Sequence, residues 1–155
     1  MAYPTIAVAN AFINKAIQGQ IPDLTPMKLQ KLMFYAQSWH LKIHNDPLVD
    51  DFFAKWQYGP VIPSLYHEVK RYGANPICRT ISTLLNTEEG FAIVTPTIPK
   101  EDTRTNVLID KIINVYGPLR GTQLSYLTHL PGTAWSETTE DSAVINNELL
   151  KRCIK

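Results

Sequence analysis

The segment DLTPMKLQKLMFYAQSWHLKIH, residues 23–44, constrains the fold more than any other part of the chain. Thr25 is placed to cap a helix opening on Pro26, where a missing amide costs nothing. Leu29, Leu32, Met33, Ala36, Trp39, His40 and Ile43 then share one face, while Phe34, Tyr35 and Leu41 carry apolar surface to other sides. A helix apolar over so much of its circumference belongs at the centre of a domain. The expected fold class is mainly α (α+β). It is a compact, single-domain helical bundle around this long helix, with a small antiparallel β element and one domain over residues 1–155.

The flanking segments fit that plan. Residues 5–19 repeat Ile6, Ala9, Ile13, Ala16 and Ile17 at helical spacing and stop at Gly19. DDFFAKWQYGPV alternates like a strand, with Phe52, Ala54, Trp56 and Tyr58 on one face and Gly59-Pro60 ending it. Pro63 opens a further helix that halts at Gly73. Residues 80–85 and 91–95 suggest two short strands around NTEEG. Helical spacing returns in TNVLIDKIINVYG, in a short helix capped by Thr122 and ended by Pro131-Gly132, and in SAVINNELLKRCIK.

Composition narrows the function. Fifteen Lys and Arg against fourteen Asp and Glu leave a net charge of +1, without the basic excess that phosphate neutralisation demands of a general nucleic-acid binder. The expected partner is a protein or a small molecule. Cys78 and Cys153 have no metal-type spacing and read as buried, reduced thiols. The N-terminus lacks the pattern of a secretory signal, and no apolar run approaches the roughly 20 residues of a membrane span. A cytoplasmic protein is expected.

Candidate chemistry is sparse. His40 and His44 stand four apart on the long helix, but Leu41 follows His40 where a metalloprotease motif has Glu, and no third ligand is spaced to join them. Neither a metal nor a cofactor is expected. Ser125 and His129 are close enough along a helix to touch, yet neither a nucleophile elbow nor a phosphate loop is present. In QLSYLTHLPGTAW, Thr128 and His129 precede Pro131-Gly132, where the last helical turn leaves carbonyls without partners. Thr128, His129, Pro131 and Trp135 therefore read as architecture, the Pro-Gly turn letting Trp135 fold back onto the core. The alternative is a small hydrolase or nucleotide-modifying enzyme built on His129 and Ser125.

LTPMKLQKLMFYAQSWHL, then FFAKWQYGPVIPSLYHEVKRYG, then LSYLTHLPGTAW together resemble the Panacea domain of SocA-like antitoxins, also described as GepA-type phage-associated proteins. The resemblance runs from about Ile6 to Trp135. It rests on the order of Lys28-Leu29-Gln30-Lys31-Leu32, Tyr35-Ala36-Gln37, Trp56, Tyr58-Gly59-Pro60-Val61 and Thr128-His129 to Trp135. It implies a non-enzymatic bacterial protein that neutralises a cognate toxin by direct contact, one branch delivering its toxin to an ATP-dependent protease. A phage- or secretion-associated binding module with another partner is the remaining alternative. Some members carry an added DNA-binding module, for which this chain has no room, so autoregulation is not expected. The resemblance brings no catalytic residues. Aromatic side chains dominate interface energetics, so contact is expected at Trp56, Gln57, Tyr58, Gly59, Pro60 and Val61, and secondarily at Phe34 and Tyr35 on the outer sides of the long helix.

Overall fold

A computed structural model describes residues 2–155. The described chain is mainly α. Its helices are α1 (Thr5–Ile17), α2 (Pro26–His44), α3 (Pro63–Val69), α4 (Thr103–Tyr116), α5 (Gly121–Thr128), α6 (Ala134–Glu137) and α7 (Asn147–Cys153). Helix α2 sits at the centre, with α1, α3, α4, α5 and α7 packed around it. The Thr25 hydroxyl caps it by accepting from the Lys28 amide at 3.3 Å. From Pro26 to Leu41 every residue but Met27 and Trp39 is buried. Its polar residues are buried too, because neighbours cover the helix on all sides.

Two small sheets complete the fold. β1 (Phe53–Trp56) lies between β2 (Gly59–Val61) and β5 (Val144–Ile145), all antiparallel. β3 (Thr83–Thr87) and β4 (Gly90–Val94) form a separate antiparallel hairpin. Its outer face carries Leu84, Phe91 and Ile93, all exposed.

Several local readings need correction. Gly59-Pro60 does not end the strand. The chain turns through Gln57 and Tyr58 and returns as β2, with Gly59 opposite Trp56. Two-residue hairpin loops usually need positive φ inside the loop; here that burden falls on Gly59, at φ 118°. Pro60 is tolerated because β2 is an edge strand.

Phe53, on the other face of the strand from Phe52, packs into the core, its ring edge-on to Phe34 at 5.7 Å between centroids. Val144 and Ile145 do not open the last helix. They pair with Ala54 and Phe53, and α7 begins only after the Asn146 side chain accepts from the Leu149 amide at 2.9 Å. Helix α5 likewise starts at Gly121 rather than after a Thr122 cap, with Gln123 Oε1 accepting from the Arg120 amide at 2.8 Å. The two cysteines are not buried as expected: Cys78 is exposed and Cys153 half-buried.

Candidate functional site

The hairpin turning at Gln57–Tyr58 is gripped by side chains from both halves of the chain. Along it, Trp135 Nε1 donates to the Trp56 carbonyl at 2.8 Å, and His129 Nε2 pairs with the Gln57 carbonyl at 2.8 Å. Ser125 Oγ donates to the Tyr58 carbonyl at 2.6 Å. From α2, Lys31 Nζ reaches the Pro60 carbonyl at 3.3 Å. Gln30 holds Ile62 twice, donating to its carbonyl at 3.1 Å and accepting from its amide at 2.9 Å. Each bond contributes about 1 kcal/mol net, but together they fix a loop that would otherwise be free to move.

This arrangement engages Ser125 and His129, the two groups of the hydrolase alternative, with backbone carbonyls. Ser125 Oγ points to a carbonyl rather than to His129, and His129 Nδ1 faces the Ser125 carbonyl at 2.6 Å. Both ring nitrogens of His129 thus face backbone carbonyl oxygens. Thr128 Oγ1 donates to the same Ser125 carbonyl at 2.6 Å, and the Trp135 ring lies 4.0 Å from that of His129. Pro131 lies exposed at the turn that lets α6 and Trp135 come back to the hairpin. His129→Ala is expected to lower stability by about 2 kcal/mol, one for each lost bond, measured as a shift in urea midpoint.

His40 is a structural side chain as well. Its Nδ1 bonds the Asp46 carbonyl, its ring meets His44 edge-on at 4.8 Å, and burial lowers its pKa, the Asp46 bond opposing. Among the described residues no three His, Cys, Asp or Glu side chains converge on one point.

What the grip presents is an aromatic wall. Trp56 and Tyr66 pack edge-to-face at 5.0 Å, and Tyr58 stands beside them, 62% exposed. On one side of the wall lies an apolar pocket of about 190 Å³, bounded by Met27, Gln30, Lys31, Val61 and Val69. On the other lies an open depression of about 680 Å³ reaching Lys55, Trp135 and Asp141. Lys55 Nζ sits 4.2 Å over the Trp135 ring and donates to the Thr138 carbonyl at 2.6 Å.

Of the residues expected at an interface, Gln57 and Tyr58 are exposed, Trp56 is half-buried, and Gly59, Pro60 and Val61 are buried beneath them, Val61 lining the pocket. Phe34 and Tyr35 are not on an outer side at all. They are 4% and 6% exposed, Tyr35 stacking on Tyr116 at 3.9 Å, because α2 has no free face there. Sequence reading did not assign a role to Gln30, Lys31 or Tyr66. The signal was present: polar residues inside a helix otherwise apolar all round must find buried partners.

The hairpin and its grip fall inside a segment, residues 29–136, that matches the family model described as Antitoxin SocA-like, Panacea domain. The chain belongs to this family. It is also 30% identical over 131 residues to Antitoxin SocA of Caulobacter vibrioides strain NA1000 / CB15N, a match covering 83% of this chain and 66% of that relative. The match therefore spans just under two thirds of the relative's length. No solved structure matches the chain. Lys28, Gln30, Lys31 and Gln37 of the α2 motif each have a backbone partner. Lys28 Nζ donates to the Pro22 and Gly117 carbonyls, both at 2.6 Å, and Gln37 Oε1 accepts from the Leu48 and Val49 amides at 2.8 and 3.0 Å. In this member of the family the motif is the fastening of the fold. Among the described residues no helix is long and apolar enough to cross a membrane.

Proposed function

We propose that this chain is an antitoxin that neutralises a cognate toxin by covering it, using the aromatic wall on the gripped hairpin, and that it catalyses no reaction. The observation that carries this reading is the immobilised loop with Tyr58 and Tyr66 exposed at 62% and 40% on either side of half-buried Trp56. Rigid aromatic side chains beside a concave apolar pocket are what protein interfaces use as anchors, because they bury much area at small entropic cost. Gly59, Pro60 and Val61 serve as the base that holds the wall. The employment of Ser125 and His129 as backbone donors supports a binding rather than a hydrolytic role. The antitoxin name of the relative supplies the class of partner.

The test is co-expression with the toxic product of an adjacent reading frame. Tyr58→Ala and Tyr66→Ala are expected to fold as wild type, to weaken toxin binding about 30-fold or more as hot-spot truncations do, and to lose growth rescue. Variants that fold and still rescue fully would exclude this surface. Following toxin abundance separates masking, which leaves the amount unchanged, from delivery to an ATP-dependent protease, which lowers it.

A further inference from the structure

Two lysines three residues apart on α2 are buried, each 1% exposed, and they differ in what their ammonium groups touch. Lys28 has two carbonyl acceptors at 2.6 Å. Lys31 has the Pro60 carbonyl alone, at a long 3.3 Å. Among the described residues no carboxylate pairs with Lys31. The ion pair found among the described residues is Lys15 with Asp110, at 3.1 Å on the surface. An ammonium offers three donors, and a buried cation without a counter-ion is among the costliest groups a fold can hold. Burial brings the Lys31 pKa down to about 7, so the amine gains a proton readily when a negative charge comes near.

Lys31 is also the one charged residue lining the apolar pocket beside Trp56, Tyr58 and Tyr66. The hairpin makes room for it. A Cβ on Gly59 would stand 2.6 Å from Lys31 Cε, so the absence of a side chain there keeps the lysine in place. Replacing such buried ionic groups by apolar residues is often neutral or stabilising, so stability does not account for the charge and its place in the pocket points to a ligand.

We infer that this pocket is an acid-binding site, in which the carboxylate of an Asp or Glu side chain of the partner protein seats on Lys31 between Trp56, Tyr58 and Tyr66. The assignment rests on the binding reading above for the source of the carboxylate, but the site itself does not. The Lys31 cation and the apolar lining complement a side chain with one negative charge and an apolar stem. A phosphate, with more charge and more lone pairs, requires a cluster of donors that this pocket lacks.

Benzoate is a suitable probe, since the pocket of about 190 Å³ exceeds the roughly 150 Å³ engineered cavity that admits benzene. Its binding to the full chain is followed by Trp fluorescence and by thermal shift, with benzamide as the neutral isostere. Benzoate is expected to raise the melting temperature of wild type and benzamide to leave it unchanged. Lys31→Met is expected to melt no lower than wild type, to bind benzoate at least about tenfold more weakly, and to lose toxin binding by a similar factor, as loss of a buried charge pair does. Lys31→Gln, which keeps a donor for Pro60 without the charge, repeats the test should the methionine variant misfold.

Equal responses to benzoate and benzamide, or a full benzoate response in Lys31→Met, would overturn the site. Full toxin binding by a folded Lys31→Met would overturn the partner as source of the carboxylate. Retained rescue by the Tyr58 and Tyr66 variants counts against the binding surface alone, because the benzoate result does not depend on a toxin.

Discussion

Gly59→Ala is expected to destabilise the chain by about 4 kcal/mol, read as a fall in urea midpoint at unchanged slope. Two costs add. The backbone at Gly59 holds φ 118°, outside what an L-residue adopts comfortably, at about 1–3 kcal/mol. The new Cβ would also stand 2.6 Å from Lys31 Cε and 2.8 Å from Thr128 Oγ1. Neither neighbour can yield freely: both are 1% exposed, Lys31 reaches the Pro60 carbonyl, and Thr128 donates to Ser125. Overpacking of this kind costs about 1–3 kcal/mol. Gly90 is the control. Its φ is 121° and nothing lies within 4 Å of the Cβ it would gain, so Gly90→Ala carries the strain without the overlap. If Gly59→Ala costs no more than Gly90→Ala, the close approach of lysine and hairpin is wrong. Combining Gly59→Ala with Lys31→Ala should recover part of the loss, since the two positions share one space.

The outcome bears on what was legible in the sequence. The centre of the fold was: Thr25-Pro26 and the apolar residues of α2 are local signals, and local signals decide where a helix starts and that it is enclosed. The same enclosure argued against exposing Phe34 and Tyr35, because a helix covered on every side has no outer face to offer. The grip on the hairpin was not legible. Lys31 and Pro60 are 29 residues apart, Ser125 and Tyr58 are 67, and His129 and Gln57 are 72. No spacing rule connects such positions, and the acceptors are backbone carbonyls that every residue carries.

His129 illustrates the division. Its place at a helix end could be read from Thr128 to Gly132, and one of its partners, the Ser125 carbonyl, lies in that last turn. The second, the Gln57 carbonyl, depends on tertiary packing. β2 and β5 were missed because strands of three and two residues are too short for a period to register.

The second large effect is on pH dependence. Unfolded, Lys31 holds its proton up to its ordinary value of 10.5; folded, burial releases it near 7. Between those limits the unfolded chain binds more protons, so the stability of wild type rises with pH across this window. Below about 7 both states carry the charge and the burial penalty stands in full. Lys31→Met has a side chain of similar length and no proton to lose, and it forfeits only the 3.3 Å bond to Pro60. The variant is therefore expected to exceed wild type by on the order of 4 kcal/mol near pH 6, with the gap closing as pH approaches about 10. Urea denaturation of both proteins across that range measures it, and subtracting one curve from the other cancels the titration of every other group. A gap of constant size would mean that the Lys31 amine keeps its proton when folded, with water or a carboxylate beside it. A gap that closes with rising pH would identify a residue kept against the interest of stability, and the reason for keeping it then has to be sought in what the pocket binds.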